Sequence, residues 1–309
     1  MNFTRSQIAD LSLLLVALMW GCTFIMIQHA IHALPPFMFN AVRFIGAAAL
    51  LGLIITIFYR QMWSSFSVRM LVHGSLLGLF LFLGYGFQTV GLLYTTTSNA
   101  GFITGLSVII VPFLSLMLLR QKISWMTCTS ALLAAAGLYL LTFSGGSMNL
   151  NRGDVMVLFC AIAFALHVAF SGRFAPRYPA LLLAAIQLAV TGILSLLTSL
   201  GTETNGSWTG FAQTLMRPEV ALALIISIGP TSAFAFWIQM VCQQYTTPNR
   251  VAVIFAMEPV FAALTGMLFA GEQLGWIALA GCVCILTGMI IAEWRTPPII
   301  DKEPEPSAL

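Results

Sequence analysis

Charge is the scarcest commodity in this 309-residue sequence: Asp, Glu, Lys and Arg together make up 7%, against about 25% in soluble domains. So few charges cannot clothe the surface of a water-soluble fold, and that class is excluded. The net charge is only +3 and the basic residues are scattered over short loops; without a basic stripe to follow phosphates, no nucleic-acid partner is expected. The six cysteines, Cys22, Cys128, Cys160, Cys242, Cys282 and Cys284, form no CxxC pair and have no His-rich companion motif, so they read as small core residues and no metal or cofactor is expected. A GxxxxGK[ST] loop, HExxH and GxSxG are missing too. Their absence removes nucleotide hydrolysis by that route and the familiar signatures of an intramembrane enzyme.

What remains is apolar. Hydrophobic residues make up 59% of the chain, and uncharged stretches such as Leu11 to Val42 and Met70 to Leu119 run far beyond one bilayer crossing of roughly 20 residues. Cutting at Pro, Gly and charge clusters predicts ten spans near Leu11–Ala30, Phe37–Phe58, Met70–Leu92, Asn99–Leu119, Ile123–Phe143, Val155–Gly172, Pro179–Leu200, Val220–Cys242, Asn249–Phe269 and Leu274–Ala292. No small-residue cleavage site precedes Leu34-Pro35-Pro36, so the first apolar run reads as a span and not as a removable signal. On the N-terminal side of the alternating connections lie Arg5, Arg60, Arg69, Arg120, Lys122, Arg173, Arg177, Arg250, Arg295 and Lys302; the other side holds Arg152 and Arg217. That imbalance predicts an inner or plasma membrane protein with both termini in the cytoplasm. Trp63, Trp125, Trp276 and Trp294 fall at predicted span ends, where the headgroup layer favours them. The Pro/Glu-rich tail 295–309 is expected to be disordered.

The chain repeats itself. A shift of 144 aligns Asp10 with Asp154, Trp20 with Phe164, Pro35 with Pro179 and Arg43 with Gln187; a shift of 150 aligns 96–99 with 246–249, and one more aligns Trp125 with Trp276 and Gly137 with Gly288. The halves are 1–147 and 148–294, five spans each. An odd number forces the second half to enter the membrane in the opposite direction, and inverted repeats in transporters place a substrate site near the midplane between the halves.

At this point Trp20-Gly21-Cys22-Thr23-Phe24, Gly153-Asp154-Val155 through Phe164-Ala165, Glu258-Pro259-Val260-Phe261-Ala262-Ala263-Leu264 and Gly271-Glu272-Gln273-Leu274 resemble the ten-helix EamA-type branch of the drug/metabolite transporter superfamily over nearly the whole chain. Gln121 and Lys122 depart from the pattern where a Gly-Glu turn would stand. The resemblance implies an all-α membrane transporter of amino acids, other small metabolites or drugs, commonly coupled to protons or ions, and it does not choose among these substrates. Oligomeric state is left open.

Several residues stand at mid-span depth. Glu258 is the leading coupling or binding candidate, because an intramembrane carboxylate must be hydrated, paired or protonated. The alternative is a carboxyl tied to helix ends for packing. An unperturbed imidazole titrates near neutral pH, which makes His167 the second coupling candidate, against a neutral histidine bonded to a neighbouring helix. Trp20, Tyr85, Gln88, Phe164, Trp237 and Gln239 are the types that line an apolar pocket with a few orienting groups. Asn99 is a further candidate, with helix capping the stronger reading for it and for Asn249. Arg43 reads as a brace, with a substrate carboxylate the other option, and Asp10 and Asp154 read as caps at the starts of spans one and six.

Overall fold

The computed structural model describes residues 4–95, 97–119, 123–142, 151–203, 213–269 and 275–294, with the side chains of Phe24, Ile25, Gln28, His29, His32, 97–99 and a few others left out. Among the described residues the chain is helical without strands. In order the helices are α1 (Arg5–Ala33), α2 (Pro36–Phe58), α3 (Val68–Gly91), α4 (Thr97–Gly105), α5 (Ser107–Leu119), α6 (Trp125–Thr142), α7 (Arg152–Phe174), α8 (Ala180–Thr202), α9 (Pro218–Ile228), a π-helical turn Gly229–Phe234, α10 (Ala235–Cys242), α11 (Pro248–Phe255), α12 (Glu258–Phe269) and α13 (Trp276–Trp294).

The boundaries have local causes. Thr4 and Gln7 form a reciprocal capping box that starts α1, and Pro35-Pro36 ends it, since the residue before proline is pushed out of the α region. Pro36 then opens α2. Pro35 offers no side-chain cap, and Glu203 at the end of α8 supplies one: its carboxylate accepts the Phe37 and Met38 N–H groups at 2.9 Å each. Asn151 and Asp154 build the second capping box, at α7. Thr247 caps α11, with Pro248 in its first turn and Asn249 already inside the helix.

Eight helical segments among the described residues are long and apolar enough to cross a membrane, and Trp276–Ala292 is a shorter apolar helix. The expected ninth span is not one helix. It breaks at Ala256 and Met257 into α11 and α12, and the expected fourth breaks at Leu106 between α4 and α5. The segments 143–150 and 295–309 lie outside the described residues, and with them the expected boundary between halves and the expected tail.

Packing follows the internal shift. Helix α2 lies along α8, and α6 along α13; α1 packs on α10, α11 and α12, while α7 packs on α3, α4 and α5. Exchanging α1 with α7 and each span with its shifted mate converts one set of pairings into the other. The α6–α13 crossing is closest at Gly137 and Gly281, where a Cβ on either would lie 2.5 or 2.6 Å from the other's carbonyl oxygen. Only glycine permits that approach. Gly74 and Gly78 of α3 face α8 in the tight contact their spacing predicts, but a Cβ on Gly101 of α4 would meet none of the described residues within 4 Å. Leu53, Leu132, Ile225 and Leu268 project outward, and Trp125 and Trp276 are 82% and 87% exposed at helix starts, as suits a chain whose solvent is lipid and headgroup.

Candidate functional site

A cavity of about 300 Å³ lies among α1, α2, α3, α4, α5, α6, α7, α10, α11 and α12. Of the residues picked from sequence, Trp20, Tyr85, Gln88, Phe164, His167, Gln239 and Glu258 all line it, and Arg43 does as well. Trp237 does not: it is turned about 100° around the helix from the lining Phe236 and meets Phe234 edge-on at 6.2 Å. The Asn99 side chain is outside the described residues.

One wall is organised by the π-helical turn. Pro230 has no N–H to give, and a π turn loosens the ordinary bonding of the helix. The Thr231 carbonyl accepts the Trp20 indole N–H at 2.9 Å and the Arg43 Nη2 at 3.3 Å. Arg43 Nε also donates to Ser232 Oγ at 2.6 Å, and the guanidinium lies 4.9 Å from the Phe44 ring centre and 4.8 Å from that of Tyr85. The brace reading of Arg43 is the geometry observed. Trp20, Phe236 and Phe255, and Tyr85 with Phe164, continue an aromatic lining at centroid separations of 4.9 to 5.6 Å.

Glu258 lines the same cavity. The break at Ala256 and Met257 places it in the first turn of α12, where a carboxylate suits the positive helix end and Pro259 costs no hydrogen bond. Its carboxylate makes no hydrogen bond or ion pair with the described residues, and Arg43 is the opposite charge that acts on it. Gly21 of α1 lets this turn approach: a Cβ there would lie 2.5 Å from the Glu258 carbonyl oxygen. Ser107, the shifted mate of Glu258, opens α5 after the matching break and lines the same cavity. Sequence reasoning missed Ser107, Thr104, Phe236 and Phe255. The shift of 151 pointed to Ser107, since it maps onto Glu258.

Two candidates are hydrogen-bonded to neighbouring helices. His167 is buried, with Nε2 2.9 Å from Gln187 Oε1 and 3.4 Å from Ser171 Oγ; Gln187 is the shifted mate of Arg43. Gln88 Nε2 reaches Thr104 Oγ1 at 3.5 Å. Gln239 differs, because both of its amide atoms are buried without a partner among the described residues.

The two aspartates lie away from the cavity. Asp10 is not a cap: α1 starts earlier, at the Thr4 box, which leaves Asp10 in the second turn. There it pairs with Arg250 and accepts from Thr246 at 3.2 Å. Asp154 does start α7, accepting from the Asn151 N–H at 2.9 Å, and it also takes the Thr95 hydroxyl at 2.5 Å. His73 sits near the start of α3, its Nδ1 2.8 Å from the Tyr178 hydroxyl.

Comparison with known proteins matches this chain twice to the EamA-like transporter family, over residues 7–143 and 151–294. A protein of Archaeoglobus fulgidus described as an uncharacterized transporter is 33% identical, covering 93% of this chain and 86% of its own. The uncharacterized inner membrane transporter YedA of Escherichia coli is 26% identical over 91% of this chain and 90% of its own. A protein of known crystal structure aligns with a TM-score of 0.75 at 21% identity, covering 92% of this chain and 96% of that one, a likeness of fold alone.

Proposed function

The chain belongs to the EamA-like transporter family and is a multi-pass membrane transporter, and on that premise we propose that it is a secondary carrier exporting small metabolites, amino acids or related compounds, by alternating access. The observation that carries this reading is Glu258: a carboxylate without a hydrogen bond or ion pair among the described residues, held at a half-helix start in a mostly apolar cavity. Such a group is costly in a bilayer unless it meets a proton, water or a cationic ligand, so it serves as the coupling or binding residue. The matching breaks in the fourth and ninth spans, and the exchange of pairings under the internal shift, support two inverted halves, 1–147 and 148–294, around one site. The lysine and arginine distribution supports ten spans with both termini in the cytoplasm.

A second substrate class is favoured by one observation. Arg43 is committed to Ser232 and the Thr231 carbonyl, which leaves Glu258 and the aromatic walls to meet the ligand, a combination suited to organic cations. A thermal-shift panel of amino acids, amines and cationic drugs on purified protein, followed by uptake of the hits into proteoliposomes, separates the two. Stabilisation and saturable uptake of zwitterions support the first reading; responses confined to amines and drugs support the second. A panel without any stabilising ligand and without saturable uptake overturns both.

A further inference from the structure

The cavity is lopsided along the rods. In one direction its lining runs to Leu92, just past the end of α3, and to Thr142 in the last described turn of α6. In the other direction it stops at Val168, Gln239 and Ala252, short of where α7 and α10 end and α11 begins. Beyond those residues the end of α7 meets the turn between α10 and α11. Gln243 Nε2 donates to the Val168 carbonyl at 3.0 Å, and Gln244 Nε2 donates to the Ala175 carbonyl at 3.1 Å. The Pro248 ring lies against Gly172, with its Cδ 3.0 Å from where a Cβ would be.

Building on the alternating-access reading, we propose that Gln243 and Gln244, with Pro248 seated on Gly172, are the gate that seals this end of the cavity, and that Leu93 and Tyr94 are their counterparts at the other end. The chemistry suits a contact that must break in every cycle. The Ala175 carbonyl lies just past the last turn of α7, and the Val168 carbonyl inside the helix offers its second lone pair, so water takes both over when the end opens, and no charge has to be stripped and resolvated. Each such bond is worth roughly a 2- to 12-fold bias in the equilibrium. Two of them tip a conformational balance that a ligand's preference for one state can reverse. Gln243 is half used: its Oε1 is buried without a partner among the described residues, which leaves an acceptor for a second set of contacts. The shift of 150 carries Gln243 and Gln244 onto Leu93 and Tyr94, which are 43% and 60% exposed and therefore free to close. The two gates thus differ in kind, amide-to-carbonyl at one end and apolar with an aromatic ring at the other.

Hydrogen exchange of the full-length protein in lipid nanodiscs, read by mass spectrometry, tests the assignment. Two perturbations reach the gate by different routes: Q243A/Q244A removes both bonds, and G172A drives a methyl into Pro248. Each is expected to speed exchange in peptides covering 168–176 and 243–248, roughly tenfold or more for the double variant, and to slow it in a peptide covering 88–95 as the opposite end closes. Faster exchange at 168–176 without slowing at 88–95 in both variants assigns the contact to packing alone and overturns the gate, as does no change at either end. This readout needs no substrate, so a failed gate is distinguished from a failed carrier, which only uptake reports.

Discussion

Glu258 and Arg43 line one cavity, yet they are held in different ways. Arg43 is tied to the π-helical turn by two hydrogen bonds and flanked by two rings, whereas the Glu258 carboxylate has no bonded partner among the described residues. Replacing Glu258 by Gln keeps shape and hydrogen-bonding capacity but removes the exchangeable charge. The variant should therefore stay folded and inserted while losing pH-driven uptake in vesicles, and unchanged pH dependence would remove Glu258 from the coupling step. Arg43 makes the opposite prediction. A double-mutant cycle of Arg43→Met and Ser232→Ala, measured by unfolding in one detergent, should give a coupling of about 1.5–3 kcal/mol, the range for hydrogen bonds to charged groups. A coupling near zero would mean that the 2.6 Å bond is not holding the turn.

Among the elements, the two related starts of α1 and α7 have diverged in strength. Asp10 pairs with Arg250 of α11 with both side chains largely buried, while Asp154 has only neutral partners in Asn151 and Thr95. Breaking the first strands a cation and should cost about 3 kcal/mol, the lower end for a buried pair; losing the second removes a cap worth about 1 kcal/mol. Thermal unfolding should therefore fall further in Asp10→Ala than in Asp154→Ala, and equal losses would contradict the assignment. The same elements show what was legible in sequence. Helix ends at Pro35-Pro36 and Pro179 were readable because proline acts locally. The Asp10 cap was misread because an apolar start suggested Leu11, whereas the Thr4 box three residues into the chain sets the real boundary. The break at Leu106 had no local punctuation beyond Gly105, since Pro112 sits inside α5 without interrupting it; only the shifted mate of the ninth span exposes it. Trp237 was misplaced because depth in a span is legible and rotation about a helix of nearly uniform hydrophobicity is not.

Across the whole molecule, the account rests on two related five-span units inserted in opposite directions around one chamber. Tags placed within 145–150 should then be reachable from the face opposite both termini; labelling on the same face would contradict the inverted arrangement. At this scale the family and an all-helical fold of many apolar spans were legible in the sequence, because composition and recurring motifs are properties of many residues at once. The sequence carried nothing of the amides at Gln243 and Gln244, whose meaning depends on which carbonyls they meet. The most direct test of the central claim is counterflow: proteoliposomes preloaded with unlabelled solute are diluted into a trace of the labelled form. A carrier with one chamber exposed to each side in turn should accumulate label transiently above its equilibrium level. Monotonic filling to equilibrium without an overshoot, at solute concentrations that saturate binding, would contradict alternating access and point to a pore.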